Sequence, residues 1–303
     1  MKLTPALLLF GAIASLAHAQ VSVVNDSAWS SPVANAYVGG SSGLNYYGSS
    51  GSTGNLSLTG DSTNLLTLNT IGGGRGLAVT FATQSLASVG DSITASIQFK
   101  MAGPVYTSTS NNFRIALHNN TGGTAISANN FANTNTNFVG YVGYMAAVSV
   151  DFADSTPVAL FDKVSSGNAL IGQATEGTQF TTLAQGGPNV SPADTPALAA
   201  GTNYTASLVI TRIASGVNIA YSLTGGSVGS TFTFDTDDTS SAVTSFNTLL
   251  LHVNSGTWDT TQLQNVNVSL TAIPEPSTYA ALAGLLTLGL VAWRRRQAAH
   301  TAA

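Results

Sequence analysis

From residue 64 to residue 270 the chain alternates apolar and polar side chains, the period of a half-buried β-strand. Leu77 to Phe81 reads as one strand. Residues 92–99 form another, with Ile93, Ala95, Ile97 and Phe99 on one face. Over residues 112–118 the face Phe113, Ile115, Leu117 opposes Arg114, Ala116 and His118, and residues 141–152 form a further apolar strand region. Tyr204, Ala206, Leu208 and Ile210 alternate into the turn Ala214-Ser215-Gly216. Val217, Ile219, Tyr221 and Leu223 alternate back out, and Gly201 and Gly225-Gly226 bound the pair, which predicts an antiparallel hairpin. Strands are also expected at 231–234, 248–253 and 263–270, the last with imperfect alternation through Leu263, Val266, Val268 and Leu270. Residues 186–200 carry Pro188, Pro192 and Pro196 and read as loop. Residues 20–62 are rich in Gly, Ser and Asn and predict loop with one or two short strands, partly packed through Trp29, Tyr37, Tyr46 and Tyr47.

About ten to thirteen short strands with polar outer faces, no helical segment and no repeat predict an all-β antiparallel β-sandwich over residues 20–272. The two ends depart from this pattern. Lys2, an apolar run from Leu7 to Ala14 and Ala17-His18-Ala19 read as a signal peptide over 1–19, cleaved after Ala19 so that the mature chain begins at Gln20. At the other end Pro274-Glu275-Pro276 forces an extended segment over 273–277. Thr278 can then cap a helix over 278–293. The run Tyr279 to Trp293 is uncharged and spans about 22 Å at ~1.5 Å per residue, short of a ~30 Å hydrocarbon core. Trp293 and snorkelling Arg294, Arg295 and Arg296 extend its reach, so a transmembrane helix with a basic cytoplasmic tail over 294–303 is the expectation.

Composition removes several chemistries. There is no cysteine, so disulfides, thiol nucleophiles and Cys-based metal sites are excluded. Between the two ends the only bases are Arg75, Lys100, Arg114, Lys163 and Arg212, which leaves no basic patch for nucleic acid. Glu176 is the only Glu before the tail and lies alone, and Asp151 and Asp154 fall on opposite faces of a strand, so the paired carboxylates of a glycosidase are missing. His118 and His252 are the only histidines of that region, each expected on a strand face and satisfied by a neighbour. No G-x-S-x-G elbow accompanies them. Asp235, Asp237 and Asp238, read as a loop after the 231–234 strand, are candidate Ca²⁺ ligands, with a solvated acidic turn as the alternative. Trp258 beside Asp259 is the candidate for stacking on a sugar ring, with Trp29 and Tyr46-Tyr47 as further aromatic candidates. Gly72-Gly73-Gly74-Arg75-Gly76 lacks the Lys-Ser/Thr of a phosphate loop and reads as a turn.

The order Ile273-Pro274-Glu275-Pro276-Ser277, short apolar helix, Arg cluster resembles the PEP-CTERM sorting signal. That resemblance implies a bacterial protein processed by an exosortase-like membrane enzyme, in cells that make exopolysaccharide, biofilm or floc. It covers only the C-terminal segment. The central region resembles a concanavalin-like jelly roll in its 91–100 strand, its 201–226 hairpin and its closing 263–270 strand after Trp258 and Asp259. The expectation is an exported, non-enzymatic envelope or matrix protein, held transiently in the membrane by its tail. A carbohydrate-binding lectin and a polysaccharide hydrolase are the alternatives, and extracellular polysaccharide is a possible partner.

Overall fold

A computed structural model describes residues 19–33, 36–49, 56–58, 64–70, 73–103, 111–132, 134–149, 157–171, 178–186, 198–226, 232–254, 259–273 and 276–301. The first strands are β1 (Ala19–Asp26), β2 (Trp29–Val33), β3 (Ala36–Gly39), β4 (Asn45–Gly48), β5 (Leu56–Leu58) and β6 (Leu66–Asn69). Then come β7 (Arg75–Ser85), β8 (Ser92–Ala102), β9 (Asn111–Asn119), β10 (Val142–Ser149), β11 (Val158–Lys163) and β12 (Phe180–Gly186). The last are β13 (Asn203–Ile213), β14 (Gly216–Thr224), β15 (Phe232–Asp238), β16 (Ser245–Val253) and β17 (Thr260–Ala272), followed by the helix α1 (Pro276–Thr301).

The strands form two antiparallel sheets, as the alternation predicts. One runs β15-β14-β13-β8-β17-β6-β5, with β1 also paired to β17; the other runs β12-β11-β10-β9-β16-β7-β4-β3-β2. The hairpin is β13–β14, in register from Thr205↔Thr224 to Ile213↔Gly216. Between the sheets lies one core. The first sheet sends in Ile93, Ile97, Phe99, Leu208, Ile219 and Val268. The second sends in Phe113, Ile115, Leu117, Tyr144, Leu249 and Leu251. Phe99 and Phe113 stack across it at 4.7 Å between ring centres. The uneven pattern in β17 has a local cause: a register shift against β8 between Leu263 and Asn265 flips the side-chain parity there.

Three expectations need correction. Residues 20–62 hold five strands' worth of structure up to β5, and Trp29, Tyr37, Tyr46 and Tyr47 are core residues. Their strands are mostly three to five residues long, too short for alternation to register among Gly and Ser. The outer face of the second sheet is not polar. Ala116, Met145, Ala147, Phe161 and Leu250 pack there with Ile126, Phe138, Leu170 and Ile171 as a second apolar layer. Thus both faces of β9 are buried, including Arg114 and His118. Finally, the helix does not stop at Trp293. It begins at Pro276 and continues through Arg294, Arg295 and Arg296 to Thr301. Among the described residues no helix is long and apolar enough to cross a membrane.

Candidate functional site

The junction with the C-terminal segment is fixed by the fold. β17 is an interior strand, and its last pairing sets Ala272 opposite Ala19 of β1. One residue later the Ile273 amide donates to Asp91 Oδ1 at 2.8 Å, and the Ser88 amide donates to Asp91 Oδ2 at 2.8 Å. Asp91 is buried, so this carboxylate is a rigid bracket at the point where the chain leaves the sandwich. Pro274 and Glu275 lie outside the described residues, as does Ala17; Ala19 is the first residue of β1.

A groove of about 350 Å³ lies in the β9–β10 connection, lined by residues between Thr124 and Phe138. Its floor is apolar: Phe138 is buried and meets Phe131 edge-on at 6.4 Å and Tyr141 at 5.5 Å. Its rim is amide-rich. Asn130, Asn135 and Asn137 are exposed, with Thr124 and Ser127 beside them. The loop is held in place by local bonds. The Asn137 amide donates to Asn135 Oδ1 at 2.9 Å, capping a 3₁₀ turn at Thr136–Phe138. The Gly48 amide donates to Asn129 Oδ1 at 2.7 Å, which ties the loop to β4. Tyr141 donates its hydroxyl proton to the Thr124 carbonyl at 2.8 Å. A half-buried aromatic beneath neutral donors and acceptors can take a sugar, stacking its apolar face and bonding its hydroxyls.

The other predicted residues do not assemble into this site. Trp258 lies outside the described residues; Asp259 is half-buried, and its backbone carbonyl accepts from the Thr70 amide at 2.8 Å. Asp235, Asp237 and Asp238 are not a loop but the end of β15, whose alternation separates them. Asp235 and Asp237 face solvent, where the Asn218 side-chain amide donates to them at 3.1 and 2.8 Å. Asp238 is buried on the opposite face. There it accepts from Tyr144 Oη at 2.8 Å and from the Ser240 and Ser241 amides at 3.0 and 3.2 Å. Burial alone would raise the Asp238 carboxyl, but these bonds outweigh it and hold it below the ordinary range. Among the described residues no three His, Asp or Glu side chains converge for a metal ion. Asp238–Tyr144 is instead a clasp between the two sheets, since Tyr144 belongs to β10 and its oxygen also accepts from the Val243 amide at 2.8 Å.

Trp29 and Tyr46 meet edge to face at 5.8 Å within the core, so neither is available to a sugar. The expectation that each histidine is satisfied by a neighbour also fails. His118 is fully buried between Tyr141 and Phe180, and neither ring nitrogen has a hydrogen-bond partner. Burial, reinforced by Lys163, pulls its pKa down to about 3. Sequence reasoning missed the groove because its signal is a density of Asn between two strands. In a sequence that composition reads only as loop.

Residues 272–296 match the family described as the PEP-CTERM protein-sorting motif. A comparison with curated proteins found no match. Among solved structures, the chain is similar to peanut lectin with a nine-residue peptide, at 10% identity over 85% of this chain and 100% of that one, TM-score 0.45. It is similar to lectin I from Ulex europaeus in complex with the methyl glycoside of α-L-fucose, at 14% identity over 83% and 98%, TM-score 0.46. It is also similar to arcelin-5, a lectin-like defence protein from Phaseolus vulgaris, at 8% identity over 84% and 99%, TM-score 0.46.

Proposed function

We propose that this chain is an exported, non-enzymatic protein of the cell envelope or extracellular matrix, sorted by an exosortase-like enzyme through its C-terminal segment. The observation that carries this reading is the sorting-motif match at 272–296, which begins at the last residue of β17. The bracket at Asp91 holds Ile273, so Pro274-Glu275-Pro276 follows the folded sandwich with no spacer. In this reading α1 keeps the chain at the membrane until processing. Its uncharged stretch from Tyr279 to Trp293 enters the apolar layer, and Arg294–Arg296 remain at the cytoplasmic interface. The test is intact mass and fractionation of the native protein beside a variant with Pro274, Glu275 and Pro276 all replaced by Ala. Loss of the C-terminal segment from the wild type alone supports the reading. Retention of the terminal arginines in both forms, with identical fractionation, refutes it.

The groove between Thr124 and Phe138 favours a second role, attachment to neutral sugars of the surrounding matrix. Its rim offers neutral amides and hydroxyls, which suit hydroxyl-rich ligands better than charged ones. A glycan array probed with wild type and Phe131→Ala tests this role. Binding lost in the variant supports it, and no glycan bound by either form rejects it.

A further inference from the structure

The C-terminal segment leaves the sandwich at an end whose surface differs from the rest. Among the described residues of the sandwich, three large apolar side chains are exposed: Val21 at 52%, Val89 at 59% and Val139 at 41%. Scattered exposed valines are ordinary on a folded domain, but these three share one end. Val21 lies in β1 opposite Leu270, near the end of β17. Val89 is in the β7–β8 turn, where the Gly90 amide donates to the Arg212 carbonyl at 2.8 Å. A Cβ on Gly90 would collide with Ile273 Cδ1, so this turn packs directly against the residue from which the tail departs. Val139 lies in the β9–β10 connection, at the end of the 3₁₀ turn. β10 starts at Val142, opposite Asn119 at the end of β9, and the Asn120 amide donates to Asn247 Oδ1 of β16 at 3.0 Å. β16 starts at Ser245, opposite Ser85 at the end of β7. The ends of β7, β9 and β17 and the starts of β8, β10 and β16 therefore fall at the same end of the sandwich.

The tether from this end to the membrane is short. Ile273 is pinned to Asp91, and α1 begins at Pro276. Between the two the chain reaches at most about 11 Å, and the helix from Pro276 to Tyr279 adds about 4.5 Å. The polar layer on each side of a ~30 Å hydrocarbon core is about 5–8 Å deep. With Tyr279 at the edge of the apolar layer, Ile273 stands no more than about 10 Å clear of the headgroups. We propose that, before processing, this end of the sandwich docks on the bilayer that holds the tail, with Val21, Val89 and Val139 seated in the headgroup layer. Lipid is the occupant because the tether brings it within reach of these side chains, and apolar side chains gain by entering the boundary between headgroups and acyl chains. The proposal rests on the anchored reading of α1 given above. Its consequence is that the sorting motif, which joins Ile273 to α1, is delivered at the membrane surface, where a membrane-bound processing enzyme acts.

The test uses the full-length chain in vesicles of phosphatidylethanolamine and phosphatidylglycerol. The chain has no cysteine, so single cysteines can carry an environment-sensitive fluorophore. Ala87→Cys labels the β7–β8 turn, Ala200→Cys labels the opposite end beside the start of β13, and Leu288→Cys labels α1; all three positions are exposed. The Leu288 label should shift to shorter wavelength and be quenched by lipid carrying a nitroxide on its acyl chain. Docking predicts that the Ala87 label also shifts and is quenched by lipid carrying a nitroxide on its headgroup, while the Ala200 label keeps its emission in water. Val21→Asp combined with Val89→Asp should return the Ala87 label toward its emission in water and leave the Leu288 label inserted. Unfolding midpoints close to wild type would show that this variant folds. An inserted Leu288 label with the Ala87 and Ala200 labels alike overturns docking and leaves anchoring standing. An Ala87 shift unchanged by the two aspartates overturns docking through these valines. A Leu288 label that stays in water refutes the anchored reading itself, and docking falls with it.

Discussion

Replacing His118 by Leu should make the protein more resistant to acid. The imidazole is fully buried in an apolar layer, with Tyr141 and Phe180 each 6.5 Å from its ring centre and no partner for either nitrogen. An unpaired buried donor or acceptor costs about 1–3 kcal/mol, and the ring–ring packing that leucine cannot reproduce is worth about 0.5–1.5 kcal/mol. At pH 7 the variant should therefore be level with wild type or more stable by about 1 kcal/mol. The pH dependence is the sharper signal. A base whose folded pKa is depressed keeps the native state stable above its unfolded value and costs stability as the pH falls below it. For His118 that window runs from about 6.5 down to about 3. At ~1.36 kcal/mol per unit, moving from pH 6.5 to 4 removes about 3 kcal/mol from wild type that His118→Leu retains. His252 has the same sign and Asp162 the opposite one, but both are present in either protein and cancel in the comparison. Urea midpoints for both proteins at pH 7 and pH 4 measure the effect. A difference that stays constant between the two pH values would refute burial of a neutral imidazole.

Asp162 should act in the reverse direction. Burial, with help from Asp238, raises its pKa to about 6, so its contribution is present in acid and lost as pH rises through that value. Asp162→Asn should thus gain thermal stability relative to wild type between pH 4 and 7, read as Tm against pH. Gly143→Ala should destabilise by about 2 kcal/mol or more. Gly143 has φ +141, and an added Cβ would collide with the Leu117 carbonyl oxygen; a denaturant midpoint matching wild type would contradict this. Asp91→Ala removes the acceptor of two backbone bonds and should cost about 2–4 kcal/mol. Hydrogen exchange at the Ile273 amide should accelerate in that variant, and an unchanged rate would mean that the bracket does not hold the tail.

The sandwich and its hairpin were legible because β8, β13 and β14 each have one face in the core and one in solvent, so their side chains alternate cleanly. β10 and β11 were harder to read. Buried on both faces, they show nearly continuous runs in which period 2 disappears, and β11 and β12 were not anticipated at all. The second apolar layer that covers them comes from loop residues such as Ile126, Phe138 and Ile171, whose packing depends on tertiary placement. The sorting segment was readable because its information lies in composition and order along a few residues. The groove was not, since it is marked only by loop-forming types between two strands.

The pairing of β1 with the end of β17, from Gln20 opposite Thr271 to Asp26 opposite Val266, sets the mechanical behaviour of the molecule. The tail continues directly from β17, and β17 is gripped along its length by β8 on one side and by β1 and β6 on the other. A pull on the tail along the strand axis, opposed anywhere else on the domain, loads these ladders in shear. Many hydrogen bonds then bear the force together, whereas peeling would break them one at a time. A domain strung this way transmits tension between its attachment point and its surroundings without first unravelling at the end that is pulled.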